Sequence, residues 1–81
     1  MQNEEVLEKI AAGWRSQLNL DNCYFIMSNI QGLPTSWGMV DCTFTTAEDA
    51  EKAFQKRVSN TATGVLGLVD PSNKVLRLVQ L

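Results

Sequence analysis

The chain has no histidine. That absence removes Ser-His-Asp and Cys-His nucleophilic arrangements and every histidine-ligated metal site. Cysteine is scarce: Cys23 and Cys42 are the only two, and two thiols without histidine do not make a zinc site. The five glycines, Gly13, Gly32, Gly38, Gly64 and Gly67, form neither Gly-x-Gly-x-x-Gly nor a P-loop, so no phosphate cradle is indicated. Positive charge is also short. Seven basic residues face nine acidic ones, for a net charge of −2. The sign argues against a nucleic-acid partner, and the imbalance is too weak for a DNA-mimic surface. No basic n-region with a long apolar segment opens the chain, and no lipidation motif stands at either end. No run approaches the length needed to span a bilayer. The expectation is a cytoplasmic protein with no membrane partner, no metal, no cofactor and no catalytic residues.

What is present is a single small domain. Its 81 residues are 44% hydrophobic and 20% charged, which argues for a folded globule. A chain of this length buries only roughly 60–65% of its unfolded surface, and dimerisation is a common remedy for the thin margin. The most informative stretch runs from Val65 to Leu81. Two apolar runs flank Asp70-Pro71-Ser72-Asn73-Lys74, the form of a β-hairpin. Pro71 presets φ for the first turn position, and Asn73 tolerates the left-handed one. Alternation places Leu66, Leu68, Leu76 and Leu78 on one face, and Val65, Val69, Val75, Val79 and Leu81 on the other, with Gly67 and Arg77 interrupting. Both faces then need cover, from the chain's own helices or from another chain.

Upstream, Asn3 is placed to cap a first helix in which Leu7, Ile10, Ala11, Trp14 and Leu18 recur at helical spacing. Asn19 and Leu20 fit a left-handed C-terminal cap. Gly13 inside this helix points to close packing against a neighbour. Cys23–Ile30 and Trp37–Phe44 read as two strands joined by Gln31-Gly32-Leu33-Pro34-Thr35-Ser36. In the second, Val40, Cys42 and Phe44 face one way, Asp41 and Thr43 the other, and Cys23 falls close to opposite Cys42. The thiols are expected reduced, the cross-strand disulfide being the alternative. Thr45 with Glu48 three residues on makes a capping box for a second helix, about Ala47 to Val58. Its stripe of Ala47, Ala50, Ala53, Phe54 and Val58 lets it lie close to a sheet. The result is an α+β fold, helix–ββ–helix–ββ, with a four-stranded, mostly antiparallel sheet packed by two helices.

From Tyr24 onward the hairpin–helix–hairpin order resembles the immunoglobulin-binding domains of streptococcal protein G. Ala50-Glu51-Lys52-Ala53-Phe54, followed about twenty residues later by a lysine-led last strand, is the nearest local likeness. The resemblance covers one helix and one hairpin and leaves the first helix unexplained. It implies a strand order of 2-1-4-3 and nothing about function.

The acids fall at helix starts, on solvated helix faces or in turns, so each already has a structural role. Asp41 alone, in mid-strand among apolar residues, asks for another. Lys52, Lys56 and Arg57 near the end of the second helix complement its dipole, and Glu48 is spaced to pair with Lys52. Large apolar groups with no evident core partner make Leu33, Trp37 and Met39, with Asp41, the expected partner-binding surface. If both helices cover one sheet face, Val65, Val69, Val75, Arg77 and Val79 become a dimer interface, on that face or the adjoining strand edge. The leading expectation is a non-enzymatic, homodimeric protein-interaction module. It would act as an adaptor or inhibitor of a larger protein, as accessory proteins of phages and mobile elements do. The alternative is a small-molecule binder. Its pocket would lie between the sheet and the first helix or at a dimer seam, lined by Asp41, Tyr24 and Trp37.

Overall fold

A computed structural model describes residues 2–29 and 37–81. The elements are α1 (Gln2–Leu18), β1 (Tyr24–Asn29), β2 (Gly38–Phe44), α2 (Ala47–Asn60), β3 (Val65–Val69) and β4 (Val75–Gln80). This is the expected α+β fold. All three strand pairs are antiparallel, in the order β2-β1-β3-β4. That corrects the 2-1-4-3 order implied by the protein G resemblance: β3, not β4, lies beside β1. The reason is visible in the two strands. β3 is apolar or glycine throughout, and Leu66, Gly67, Leu68 and Val69 are buried, as a strand covered on both faces must be. β4 carries Arg77 and Gln80 and suits an edge. Since β2 and β3 both run against β1, they are parallel to each other, and α2 makes the crossover between them.

The helices lie on opposite faces. On one, Leu7 and Ala11 of α1 pack with Phe25, Met27, Trp37 and Val69. On the other, Ala50 and Phe54 of α2 pack with Ile26, Leu66 and Leu68. Gly67 is the slot that seats α1. A Cβ there would run into Leu7 Cδ2, while Leu78 and Trp37 sit at 3.7 Å from its place. Gly13, by contrast, is exposed, with nothing within 4 Å of where a side chain would begin. The close packing expected at Gly13 is found at Gly67.

Three further expectations shift. The N-cap of α2 is Thr46, whose hydroxyl accepts from Asp49 N–H at 3.3 Å, one residue beyond the Thr45 box. Asn3 lies inside α1 rather than before it. β2 carries two extra residues against β1: the partners step from Tyr24↔Phe44 to Ile26↔Asp41 to Met27↔Met39. These bulges break the simple alternation. Val40 and Phe44 join the α2 side while Cys42 joins the α1 side. They also move the register so that Cys23 is not opposite Cys42, and both thiols are free.

Backbone chirality follows the sequence. Asn19 (φ 55°) ends α1, with Leu20 N–H donating to Arg15 O at 3.1 Å. In the β3–β4 turn Asn73 has φ 65°, and the Asp70 carboxylate accepts from Ser72 and Lys74 N–H, each at 2.9 Å.

Candidate functional site

The sequence-predicted residues do not assemble into one place. Leu33 lies outside the described residues. Trp37 is only 7% exposed and belongs to the α1-side core. From the start of β2 its ring reaches over β1 to Gly67 on β3, so it is packing rather than an exposed anchor. Its Nε1–H has no acceptor among the described residues. Met39 is half-buried in the same core. The five hairpin residues also divide. Leu76 is an extra residue in β4, since the partners step from Leu68↔Arg77 to Val69↔Val75. Val65, Val69 and Val75 therefore join the α1 side and Val79 the α2 side. Arg77 turns toward α2, where its Nη2 meets Glu51 Oε1 at 2.8 Å. The condition for a bare valine face, both helices on one side, is not met.

Asp41 is different. It stands opposite Ile26, and directly opposed residues share a face, so the bulge turns it to the α2 side. There, with Ile26, Ala53, Lys56, Arg57 and Asn60, it lines a groove of about 340 Å³. Arg57 also borders an adjoining cavity of about 120 Å³ whose wall includes Ser28, Val40, Thr61 and Thr63. A third hollow, about 220 Å³, lies on the other flank of α2 against Arg77 and Val79. In the first groove Ala53 is the α2 residue against the sheet, and a side chain that small leaves space beside it unfilled. One Asp41 oxygen, Oδ1, accepts from Thr43 N–H at 3.0 Å and Thr43 Oγ1–H at 2.7 Å. That fixes the carboxylate on the β2 wall. Among the described residues neither Lys56 nor Arg57 is ion-paired; the nearby Lys52 is, to Glu48 at 3.5 Å.

Two other arrangements bear on chemistry. Burial pushes the Cys42 thiol above its ordinary pKa, with neighbouring Cys23 and Asp41 adding to the effect. It is thus a poor nucleophile near neutral pH. Arg15, 8% exposed, is a hub that sequence reasoning missed. Its guanidinium donates to Leu20 O, Cys23 O and Asp70 O, each at 2.9 Å, and to Asn73 Oδ1 at 2.7 Å. It also lies 4.1 Å above the Phe25 ring. With its donors committed to the α1–β1 connection (Leu20, Cys23) and the β3–β4 turn (Asp70, Asn73), it is a clasp rather than a ligand site. Nothing in an arginine near a helix C-terminus distinguishes this role from dipole complementation.

Leu81 N–H donates to Gly64 O at 2.8 Å. With Val65↔Gln80 and Gly67↔Leu78 in register, antiparallel alternation turns the N–H and C=O of Leu78 and Gln80 outward. Beside them Leu76 and Leu81 are 44% and 37% exposed. The β2 edge is broken by its two bulges. Among the described residues no group of acids and thiols is placed to hold a metal ion, and no helix is long and apolar enough to cross a membrane. Compared with protein-family models, curated proteins and solved structures, the chain matches none.

Proposed function

We propose that this is a non-enzymatic protein-interaction module that pairs through its β4 edge, with a second copy of itself as the direct occupant. The observation that carries the reading is that edge. From Arg77 to Gln80 it is regular, the outward backbone groups of Leu78 and Gln80 have no partner among the described residues, and exposed leucines flank it. Open, regular, apolar edges are templates for strand addition, whereas bulges such as those of β2 discourage it. A two-fold pairing in which Leu78 of one copy exchanges hydrogen bonds with Gln80 of the other sets the two Val79 residues side by side. The sheet becomes eight-stranded, and the thin core of a small domain is extended.

The non-enzymatic part of the reading is supported by four acids that the fold engages through at least one oxygen. Asp41 is held by Thr43, Asp70 by its turn, Glu51 by Arg77, and Glu8 accepts from Val75 N–H at 3.4 Å. We place the protein in a reducing, cytoplasmic setting, where Cys23 and Cys42 stay as thiols, and assign it an adaptor or inhibitor role toward a larger protein. Sedimentation of the wild type is expected to show a dimer at micromolar concentration. Gln80→Pro removes an outward N–H without touching the β3 ladder, and is expected to give a folded monomer. A wild type that stays monomeric at high micromolar concentration overturns the edge pairing.

A further inference from the structure

The groove between α2 and β2 carries a second, independent inference. We propose that it binds a small acidic amino acid, a molecule with two anionic groups and one amine on a short frame. The charges of the walls are the complement of that ligand. Lys56 and Arg57 supply two cations from the last turns of α2, and Asp41 supplies one anion from β2. Asp41 pairs with neither of them among the described residues, because Thr43 holds its carboxylate on the β2 wall through Oδ1. Its other oxygen is left for an ammonium group. A ligand bridging the groove satisfies all three charges at once.

Three features select this class over others. The volume, about 340 Å³, lies near the lower end of the range for ligand pockets, roughly 300–1,000 Å³, so the occupant is small. Ile26 and Ala53 give the floor an apolar patch that suits a short methylene chain. The cations come from the C-terminal half of α2, where the helix dipole is negative. That end and Asp41 together disfavour a phosphate dianion and favour a ligand that brings its own amine. No backbone nest is needed, consistent with the absence of any glycine-rich phosphate motif in the sequence.

The test is a ¹H–¹⁵N titration of the full chain with L-glutamate, glutarate and inorganic phosphate as probes, read residue by residue. Glutamate is expected to saturate and to shift the amides of Asp41, Ala53, Arg57 and Asn60. Glutarate, which lacks the amine, is expected to bind about tenfold more weakly. Asp41→Asn should erase that preference, and Arg57→Gln should weaken both ligands. Both changes alter exposed or half-exposed heads, and unchanged spectra elsewhere show that the fold is retained. No saturable shift with glutamate, shifts that map away from α2 and β2, or phosphate and glutarate binding as well as glutamate overturns the proposal. The edge-pairing reading is unaffected by any of these outcomes, since β4 lies across the sheet from the groove.

Discussion

Each face of the sheet is covered by one helix, but the two covers close differently. Beneath α1, large side chains fill the space: Leu7 enters the Gly67 slot, Trp37 spans two strands, and Phe25 and Met27 are fully buried. Arg15 then ties the end of that helix to Cys23, just before β1, and to the β3–β4 turn. Beneath α2 the contact surface is Ala50, Ala53, Phe54 and Val58, and hollows remain along both flanks of the helix. Small residues achieve close approach of backbone to sheet; only large ones fill the spaces alongside. The α2 face collects Asp41, Lys56, Arg57 and Asn60 around open volume, whereas the polar group buried under α1, Arg15, has its donors taken up by the fold. The sheet thus separates a filled side from a side with open grooves.

The largest expected effect tests whether the α1 side is the packed side. Trp37→Ala opens a cavity in a filled core and is expected to destabilise by about 3–5 kcal/mol, read as a shift in denaturant midpoint at constant m. Trp37→Phe sharpens the point. It keeps most of the ring and removes a buried N–H that has no acceptor among the described residues, so it should cost much less than the lost volume alone suggests. If Trp37→Ala leaves the midpoint unchanged, the tryptophan is surface and the contrast between the faces fails.

Next in size is the clasp. Arg15→Met keeps the aliphatic stem but strips donors from three carbonyl oxygens and from Asn73. A loss of about 3 kcal/mol is expected, on the order of 15 °C in melting temperature. Arg15→Lys, with one point charge in place of a planar fork, should recover less than half of it. The matched change on the other side, Arg57→Gln, touches no such network and should stay within about 0.5 kcal/mol of wild type. Equal losses at positions 15 and 57 would mean that the two faces are held alike.

These two residues also mark what was legible beforehand. Local rules read well. Asn19 and Asn73 took the left-handed conformations their side chains tolerate, Glu48 paired with Lys52, and the α2 stripe buried Ala50 and Phe54. What failed depended on partners distant in sequence. The β2 and β4 bulges insert residues that alternation cannot count, and each one reassigns the faces beyond it. Thus Asp41 came to the α2 side, where it lines a groove with Arg57. The valines of the last hairpin were divided between two faces by Leu76. Trp37 looked exposed because its core partners, Leu7 and Gly67, lie thirty residues away on either side. Strand order turned on the same kind of information. The composition of the strands, apolar or glycine throughout β3 against Arg77 and Gln80 in β4, favours β3 as the inner strand, but that both of its faces are covered shows only with the helices in place.

The smallest effect concerns the rim of the packed side. Cys42 is half-buried in β2, and burial raises its thiol above the ordinary 9.0. Below that value both native and unfolded chains hold the proton, and the thiol makes no pH-dependent difference. Above it the unfolded chain gives up the proton first, so it binds fewer protons than the native state and stability falls as pH rises. The slope contributed by one thiol cannot exceed about 1.4 kcal/mol per pH unit. Chemical denaturation from pH 7 to pH 10 should therefore show a decline steeper in wild type than in Cys42→Ala, starting near pH 9. Alkylation by iodoacetamide at pH 8 should be slower for the folded protein than for the same protein in denaturant. Parallel pH profiles for the two proteins, with alkylation equally fast folded and unfolded, would place Cys42 in solvent. The packed side would then stop short of the β2 edge.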